Sequence, residues 1–202
     1  MLTTIGNADA SLVFGGFDAF RLGQSAHSFP FSSDLDRPLL ARLGSITVLD
    51  GLHSDGQISL LPSAIPVLLD STSPYFELPE ATCKEFERAF DLKFEPESGQ
   101  FRVKQSTRQR LRERNPKVRF KITEEYEGDG SVEVELPYAS FDLQSWSTFE
   151  DKEAINYFPI KIKTTGQPSV LGRVFFQETC VKHFLSVWRE FPLTTLDHKG
   201  AG

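Results

Sequence analysis

Cysteine and histidine are scarce in this chain, and their scarcity removes several classes of functional site. The 202 residues include two cysteines, Cys83 and Cys180, and none of the four histidines lies at metal-ligand spacing from either. A zinc site is therefore not expected. The histidines occupy polar or terminal contexts and no Gly-x-Ser-x-Gly motif occurs, so the machinery of a serine or cysteine hydrolase is not indicated. The two thiols could form a disulfide in an oxidising compartment or remain free and buried, and the sequence does not choose between these states.

Long apolar runs are missing as well. No stretch approaches the roughly 18 apolar residues of a membrane helix, and the first twenty residues lack the charged-then-apolar pattern of a signal peptide. We therefore expect no membrane segment and no secretion signal within this chain. Positive charge is in the minority: the formal net charge is −6. Because a negative field repels a polyanion, nucleic acid is not expected to be the main partner.

Apolar and aromatic residues, by contrast, are plentiful. The chain has 39% hydrophobic residues and 18 phenylalanines, which is the composition of a globular protein. A chain of this length forms one large domain, or one domain with an arm, and can bury a sizeable core. Short apolar runs alternate with turn-forming residues, a pattern typical of an all-β sandwich or barrel. The predicted strands lie at 11–18, 43–51, 57–61, 65–69, 132–136, 157–163 and 169–176.

Two helices are predicted between these strands. Segment 80–90 follows a proline and places Cys83, Phe86 and Phe90 on one face, with an acidic residue near its start. Segment 106–114 forms a second, shorter helix that stops before the next proline, because the residue preceding a proline disfavours helical backbone.

Charged residues are divided into two blocks. Between 102 and 121 lie nine basic residues and one acid, Glu113, whereas six acids and no base lie between 124 and 135. We interpret the blocks as the two halves of a hairpin whose charges pair. A nucleic-acid patch is the alternative, but such patches interleave aromatic residues with the basic ones, and here Phe101 and Phe120 are the aromatic residues present.

The rest of the chain is organised around the stretch 65–79. An apolar run ends there in one carboxylate, Asp70, which three hydroxyl residues follow: Ser71, Thr72 and Ser73. We expect a buried strand whose terminal carboxylate is held by these hydroxyls and by nearby backbone N–H groups. Taken alone, the same residues are also compatible with an ordinary turn, since Asp and Ser readily form local side-chain-to-backbone hydrogen bonds.

A second apolar run, at 169–176, is interrupted by Gly172. A glycine inside an apolar strand usually marks a bulge or a close approach of another backbone segment. The chain therefore contains, in this order, an apolar strand that ends at Asp70, a helix, and an apolar strand that ends at a glycine.

The ordered features resemble the pepsin-like aspartic peptidases, and in particular the C-terminal lobe of a fungal branch of that family. The motifs are Phe-Gly-Gly-Phe-Asp at 14–18, Asp-Ser-Thr-Ser at 70–73, a helix led by a proline at 79–90, and Val-Leu-Gly followed by Val-Phe-Phe at 170–176. The family's lobe uses an Asp-Thr/Ser-Gly-Thr/Ser turn and a later strand that ends in glycine beside that turn. The resemblance implies an all-β lobe of mixed and antiparallel sheets with one or two short helices.

The resemblance also implies a division of the chain. Residues 1–20 correspond to the end of an N-terminal lobe or an interlobe segment, and 21–182 to the C-terminal lobe. The sequence at 183–202 matches the family poorly, so we regard it as an atypical tail.

The function implied by the resemblance is that of an aspartic endopeptidase, which hydrolyses peptide bonds with a pair of aspartates and needs no cofactor or metal. It implies a peptide or protein substrate and a secreted, extracellular location. The implied site residues are the catalytic Asp70, its supporting Ser71, Thr72 and Ser73, the cleft-wall residues Tyr75 and Phe76, and Leu171 and Gly172 in the strand beside the turn.

Two departures from the family pattern bear on activity. Thr72 stands where the family has glycine, and no second Asp-Thr/Ser-Gly motif occurs in the chain. The partner carboxylate would therefore come from an N-terminal lobe of the same peptidase or from a second copy of this chain. We expect the chain alone to be inactive. Two alternatives stay open: a non-catalytic peptide-binding or structural pseudopeptidase module, and a small all-β binding domain in which Asp70 is only a turn residue.

Overall fold

The computed structural model describes residues 22–32, 39–53, 56–124, 130–146, 154–177, 179–181 and 190–196. These ranges contain fifteen β-strands and two α-helices. The strands are β1 Leu22–Pro30, β2 Leu40–Leu49, β3 Gln57–Ser59, β4 Ile65–Leu69, β5 Phe76–Leu78, β6 Leu92–Glu95, β7 Gln100–Val103, β8 Lys117–Thr123, β9 Ser131–Pro137, β10 Leu143–Trp146, β11 Ala154–Phe158, β12 Ile160–Ile162, β13 Ser169–Leu171, β14 Thr179–Val181 and β15 Glu190–Leu196. The helices are α1 Glu80–Phe90 and α2 Gln105–Arg114.

The described strands form three sheets. The largest has the order β12-β5-β13-β4-β2-β8-β9, with β3 paired to β2. A four-stranded sheet has the order β10-β11-β7-β6, and a three-stranded sheet the order β1-β15-β14. Pairing is parallel between β12 and β5 and between β13 and β4, and antiparallel at the other junctions. The predicted all-β class with mixed sheets and two short helices is therefore confirmed.

Phenylalanine side chains fill much of the core. The rings of Phe141 and Phe158 stack with their centroids 4.8 Å apart, and Phe158 lies 4.9 Å from Phe90 of helix α1. All three are fully buried. Offset aromatic pairs add to the free energy of apolar burial. This cluster therefore stabilises the packing of α1 against strand β11 and the short turn that contains Phe141.

Both predicted helices are confirmed. Helix α1 buries Cys83, Phe86 and Phe90 on one face and ends at Asp91, whose φ of 52° is in the left-handed region. Helix α2 ends in the same way, at Asn115 with a φ of 46°. Asp and Asn tolerate this conformation better than most residues, so both serve as helix ends without a glycine.

Two predicted strands differ from those observed. The run predicted as one strand at 157–163 is divided between β11 and β12, which belong to different sheets. The division falls at Pro159, which has no N–H for a ladder and whose carbonyl accepts from the N–H of Phe76 at 2.8 Å. The run at 169–176 is a strand only as far as Leu171, after which the chain turns. The strand predicted at 11–18 lies outside the described residues.

The charge-paired hairpin is present in part. Strands β8 and β9 are antiparallel neighbours, and Glu135 accepts from Arg119 and from Lys117. The remaining arginines of the basic block that form ion pairs use other acids: Arg102 pairs with Glu95, Arg110 with Asp91, and Arg108 and Arg112 with Asp142. The division of the sequence into a basic and an acidic block does not predict these ion pairs, because helix α2 directs its arginines away from the hairpin.

The Cys83 thiol is free and buried, and burial raises its pKa to about 12. Its sulfur lies 3.5 Å from the carbonyl oxygen of Lys161 and 3.6 Å from that of Leu78. Of the two states that the sequence left open for Cys83, the structure has the free thiol.

Candidate active site

Strand β4 carries the chain to Asp70 along the centre of the largest sheet. β4 and β13 run parallel, with Leu69 opposite Leu171. The backbone N–H of Asp70 donates to the carbonyl of Leu171 at 3.1 Å. Because parallel strands end at the same edge of a sheet, Asp70 and Gly172 leave their strands side by side.

The other end of the Asp70 turn is attached to the chain just beyond the same strand. The N–H of Arg173, directly after Gly172, donates to the carbonyl of Ser73 at 2.7 Å. A Cβ atom at Gly172 would lie 2.2 Å from the carbonyl oxygen of Tyr75 and 2.5 Å from that of Ser73. Both neighbours are backbone atoms that cannot move aside. The close backbone approach expected at this glycine is present, and only glycine fits it.

The Asp70 carboxylate is held by Thr72. The backbone N–H of Thr72 donates to Asp70 Oδ1 at 2.9 Å, and the Thr72 hydroxyl donates to the same oxygen at 2.7 Å. No described residue donates a hydrogen bond to Oδ2. Asp70 is half-buried and Thr72 is exposed. Hydrogen bonds to an ionised group are the stronger kind, so Thr72 fixes the orientation of the carboxylate while leaving one oxygen open.

Neither serine hydroxyl of the turn forms a hydrogen bond with that carboxylate. The Ser73 hydroxyl donates to Glu77 Oε1 at 3.1 Å and accepts from the N–H of Tyr75 at 3.3 Å. Ser71 is exposed. Of the three hydroxyls expected to support Asp70, Thr72 is the one that binds it. Ser73 instead links the end of the turn to Glu77 through a hydrogen bond. Glu77 was not predicted from the sequence to take part in the site.

The two residues predicted as cleft wall have different surroundings. Tyr75 is half-buried, and the Nζ atom of Lys161 lies 4.1 Å from its ring centroid. Phe76 is fully buried, with its ring 5.4 Å from that of Phe120 and 5.7 Å from that of Phe141. Phe76 therefore packs in the core, because strand alternation turns its side chain inward, and its place beside a cleft stays a prediction.

A model of the eukaryotic aspartyl protease family matches residues 2–184 of the chain. The chain belongs to the eukaryotic aspartyl protease family. The solved aspartic proteinase from Irpex lacteus is similar to it in fold, with a TM-score of 0.58 at 13% sequence identity, over 93% of this chain and 52% of that one. The chain thus spans about half the length of that structure. No curated protein matches the chain.

Membership of the aspartyl protease family gives the turn its chemical interpretation. A carboxylate held in a fixed orientation, with one oxygen open, can accept a proton from water or donate one to a carbonyl. The pepsin-like aspartic protease fold supplies this geometry through the paired ends of β4 and β13. Leu171, fully buried beside Leu69, keeps the two strands in contact.

Two basic residues near the Asp70 turn were not predicted from the sequence. Arg173 follows Gly172, and Lys161 covers the ring of Tyr75. Burial raises the pKa of Tyr157; the neighbouring Tyr75 acts in the same direction and Arg173 opposes both. The sequence carried no signal for this group, because its members come from three separate segments.

Metal ligation has no support among the described residues. No group of three or more His, Cys, Asp or Glu side chains in the described ranges is arranged to hold a metal ion. No described helix is long and apolar enough to cross a membrane.

Proposed function

We propose that the chain is one lobe of a pepsin-like aspartic endopeptidase of fungal type and contributes Asp70 to the catalytic pair. In this proposal, residues 21–182 are the C-terminal lobe, 1–20 the end of the preceding segment and 183–202 an atypical tail. The observation that carries the proposal is the attachment of the Asp70 turn on both sides of Gly172: Asp70 is bonded to Leu171 at the end of β13, and Ser73 is bonded to Arg173 just after that strand. An ordinary surface turn needs neither attachment nor a glycine at that distance.

Peptide hydrolysis by this family needs two carboxylates. When two carboxylates lie close together they cannot both ionise, so the pair retains one proton, and aspartic proteases are the standard example. One member takes a proton from the attacking water and the other protonates the carbonyl oxygen. Asp70 supplies one of these groups, and its open Oδ2 is the oxygen available to water.

The second carboxylate comes from outside the described lobe. An N-terminal lobe of the same peptidase is the first candidate, and a second copy of the chain is the other. The length comparison supports a single lobe, since the match covers 52% of the Irpex lacteus proteinase. We infer that the chain alone is inactive, that its substrates are peptides or proteins, and that the complete enzyme is secreted.

The test compares the isolated chain with a two-lobed protein. The isolated chain should not cleave a denatured protein at acid pH. Fused in one chain to the N-terminal lobe of a pepsin-like relative, it should cleave in a pepstatin-sensitive manner, and Asp70→Asn should abolish the activity. Asp50→Asn is the matched control, because Asp50 is exposed at a turn with a φ of 55° that Asn tolerates. Activity that survives Asp70→Asn would exclude Asp70 as a catalytic residue.

A non-catalytic peptide-binding module is the second candidate. The observation that favours it is the Thr72 hydroxyl, which occupies Asp70 Oδ1 from an exposed position where a partner lobe would approach. This candidate predicts that the fused protein binds pepstatin and peptides but cleaves nothing. Restored cleavage in the Thr72→Gly variant of that protein would indicate a catalyst that Thr72 restrains.

A further inference from the structure

Four side chains form a cluster next to the Asp70 turn. Tyr75 leaves the turn, and its ring centroid lies 6.2 Å from that of Tyr157. The Nζ atom of Lys161 lies 4.1 Å from the Tyr75 centroid. Arg173 is joined to the turn through its N–H, which donates to the Ser73 carbonyl. All four side chains are half-buried, so they border the turn and remain reachable from solvent.

The polar groups of this cluster lack anionic partners within the described ranges. Neither Lys161 nor Arg173 forms an ion pair with a described carboxylate, and neither tyrosine hydroxyl has a hydrogen bond to a described residue. Most other arginines of the described chain are paired with acids, namely Arg88, Arg102, Arg108, Arg110, Arg112 and Arg119. An ammonium and a guanidinium can only donate hydrogen bonds, and a phenol donates readily. The cluster therefore brings together hydrogen-bond donors that have no acceptor among the described residues, and the charge of Arg173 acts on the Tyr157 hydroxyl.

Two acids lie close to the cluster and leave it unsatisfied. Glu77 is opposite Lys161 in the pairing of β5 with β12, yet no cationic nitrogen of a described residue lies within 4.0 Å of it, and its Oε1 accepts from Ser73. Asp70 is held by Thr72. The Lys161 ammonium rests on the tyrosine face instead, a cation–π contact that a carboxylate ligand can replace or complement.

We propose that Tyr75, Tyr157, Lys161 and Arg173 form a subsite for a carboxylate and select peptides that carry an Asp or Glu side chain. The guanidinium of Arg173 suits the planar carboxylate, and the two phenols supply further donors. The proposal rests on the proposed function, since it assumes that a peptide lies along the Asp70 turn. It adds the substrate class: acidic peptides.

Binding to the full chain tests the subsite without requiring catalysis. The probes are two acetylated, amidated hexapeptides of alanine and phenylalanine that differ in one residue, Glu or Gln, titrated into the isotope-labelled chain and followed by NMR. The Glu peptide should bind about tenfold tighter, equivalent to about 1.4 kcal/mol. The difference should shrink in 1 M salt, because salt screens partly exposed charges.

Three variants assign the preference to the cluster. Arg173→Gln and Tyr157→Phe should each remove most of the preference for Glu. Tyr157→Phe removes only the hydroxyl and keeps the ring, so it still tests the subsite if Arg173→Gln impairs folding. Lys93→Gln, an exposed lysine of strand β6, should leave it unchanged. Equal affinity for the two peptides, or a preference that survives both variants, overturns the subsite.

The outcomes also separate the subsite from the proposed function. Cleavage by the fused, two-lobed protein without any preference for acidic peptides overturns the subsite and leaves the function standing. Selective binding of the Glu peptide by a fused protein that cleaves nothing supports the subsite and overturns the endopeptidase function.

Discussion

Two aspartates of this chain, Asp70 and Asp142, are held in opposite ways. The Asp142 side chain is 8% exposed and receives the Nε–H groups of Arg108 and Arg112, each at 2.5 Å. Asp70 is half-buried, and its hydrogen bonds come from the N–H and hydroxyl of Thr72. One carboxylate is neutralised by two cations, and the other is oriented by neutral donors.

The difference separates a carboxylate that joins two elements of the fold from one that only its own turn holds. Hydrogen bonds between ionised groups are the stronger kind, so the two guanidinium groups tie Asp142 firmly to helix α2. Neutral donors fix an orientation without supplying a full opposite charge. Asp142 joins helix α2 to the turn at 138–141, whereas the turn of Asp70 is anchored through its backbone and its open oxygen remains available.

The largest expected loss of stability comes from removing Asp142, the carboxylate held by two arginines. Asp142→Ala should lower the free energy of unfolding by about 3–5 kcal/mol, because it leaves Arg108, 7% exposed, without its counter-charge. Urea unfolding measures this loss. The control is Glu80→Ala, which breaks the exposed pair with Lys84 and should cost far less, because water screens exposed charges. Equal losses in the two variants would mean that Asp142 is not the structural carboxylate described here.

The next effect concerns the glycine that positions the Asp70 turn. Gly172→Ala should cost about 1–3 kcal/mol or more, because its Cβ meets two backbone oxygens that belong to the turn. Thermal unfolding and the NMR signals of residues 70–75 report the change. Gly51→Ala is the matched control, since the nearest atom there is a side-chain carbon of Val48 at 3.3 Å. Unperturbed signals at 70–75 in the Gly172 variant would contradict the close approach.

The strands and the helix around the Asp70 turn could be predicted from the sequence, because local residue patterns determine them. The apolar run before Asp70 specifies a strand, and a glycine inside a second apolar run specifies the place where another backbone comes close. The helix at 80–90 followed from its apolar spacing. These features depend on neighbours along the chain, so the residues themselves carry the signal.

The parts that the sequence missed depend on contacts between distant segments. Whether Phe76 faces a cleft or the core depends on Phe120 and Phe141, which come from other elements. The arginine partners of Asp142 lie 30 or more positions away on helix α2. The roles of Thr72 and Ser73 depend on which hydroxyl the turn aims at the carboxylate. Residue types alone gave no way to choose between them.

A smaller effect tests how Asp70 itself is held. Thr72→Val removes the hydroxyl and should cost about 1 kcal/mol, the usual net contribution of one hydrogen bond, whereas Thr72→Ser should cost little. In an Asp70→Ala background the cost of Thr72→Val should vanish, because its acceptor is gone. Chemical denaturation of the four proteins gives the coupling. A cost that persists without Asp70 would assign Thr72 to packing rather than to the carboxylate.

The smallest effect comes from Glu135, which has cationic partners as Asp142 does and is half-buried like Asp70. The hydrogen bond from Arg119 lowers the pKa of Glu135 from its usual 4.5, with Lys117 acting in the same direction and partial burial opposing them. Because the folded pKa lies below the unfolded one, the pair contributes stability above pH 4.5 and loses it as pH falls through the folded value.

Glu135→Gln should therefore cost less than about 1 kcal/mol at pH 7, since the side chain is 34% exposed and water screens its charge. The difference from the parent chain should vanish in strong acid and shrink in 1 M salt, whereas salt should leave most of the Asp142→Ala loss in place, because a buried pair is screened less. Glu113→Gln is the control, as Glu113 accepts from neutral Gln109 on the exposed side of α2. If Glu135→Gln costs as much as Asp142→Ala, cationic partners alone determine which carboxylates are structural. If it costs little, burial is required as well, and Asp70 is set apart by both its exposure and its neutral donors.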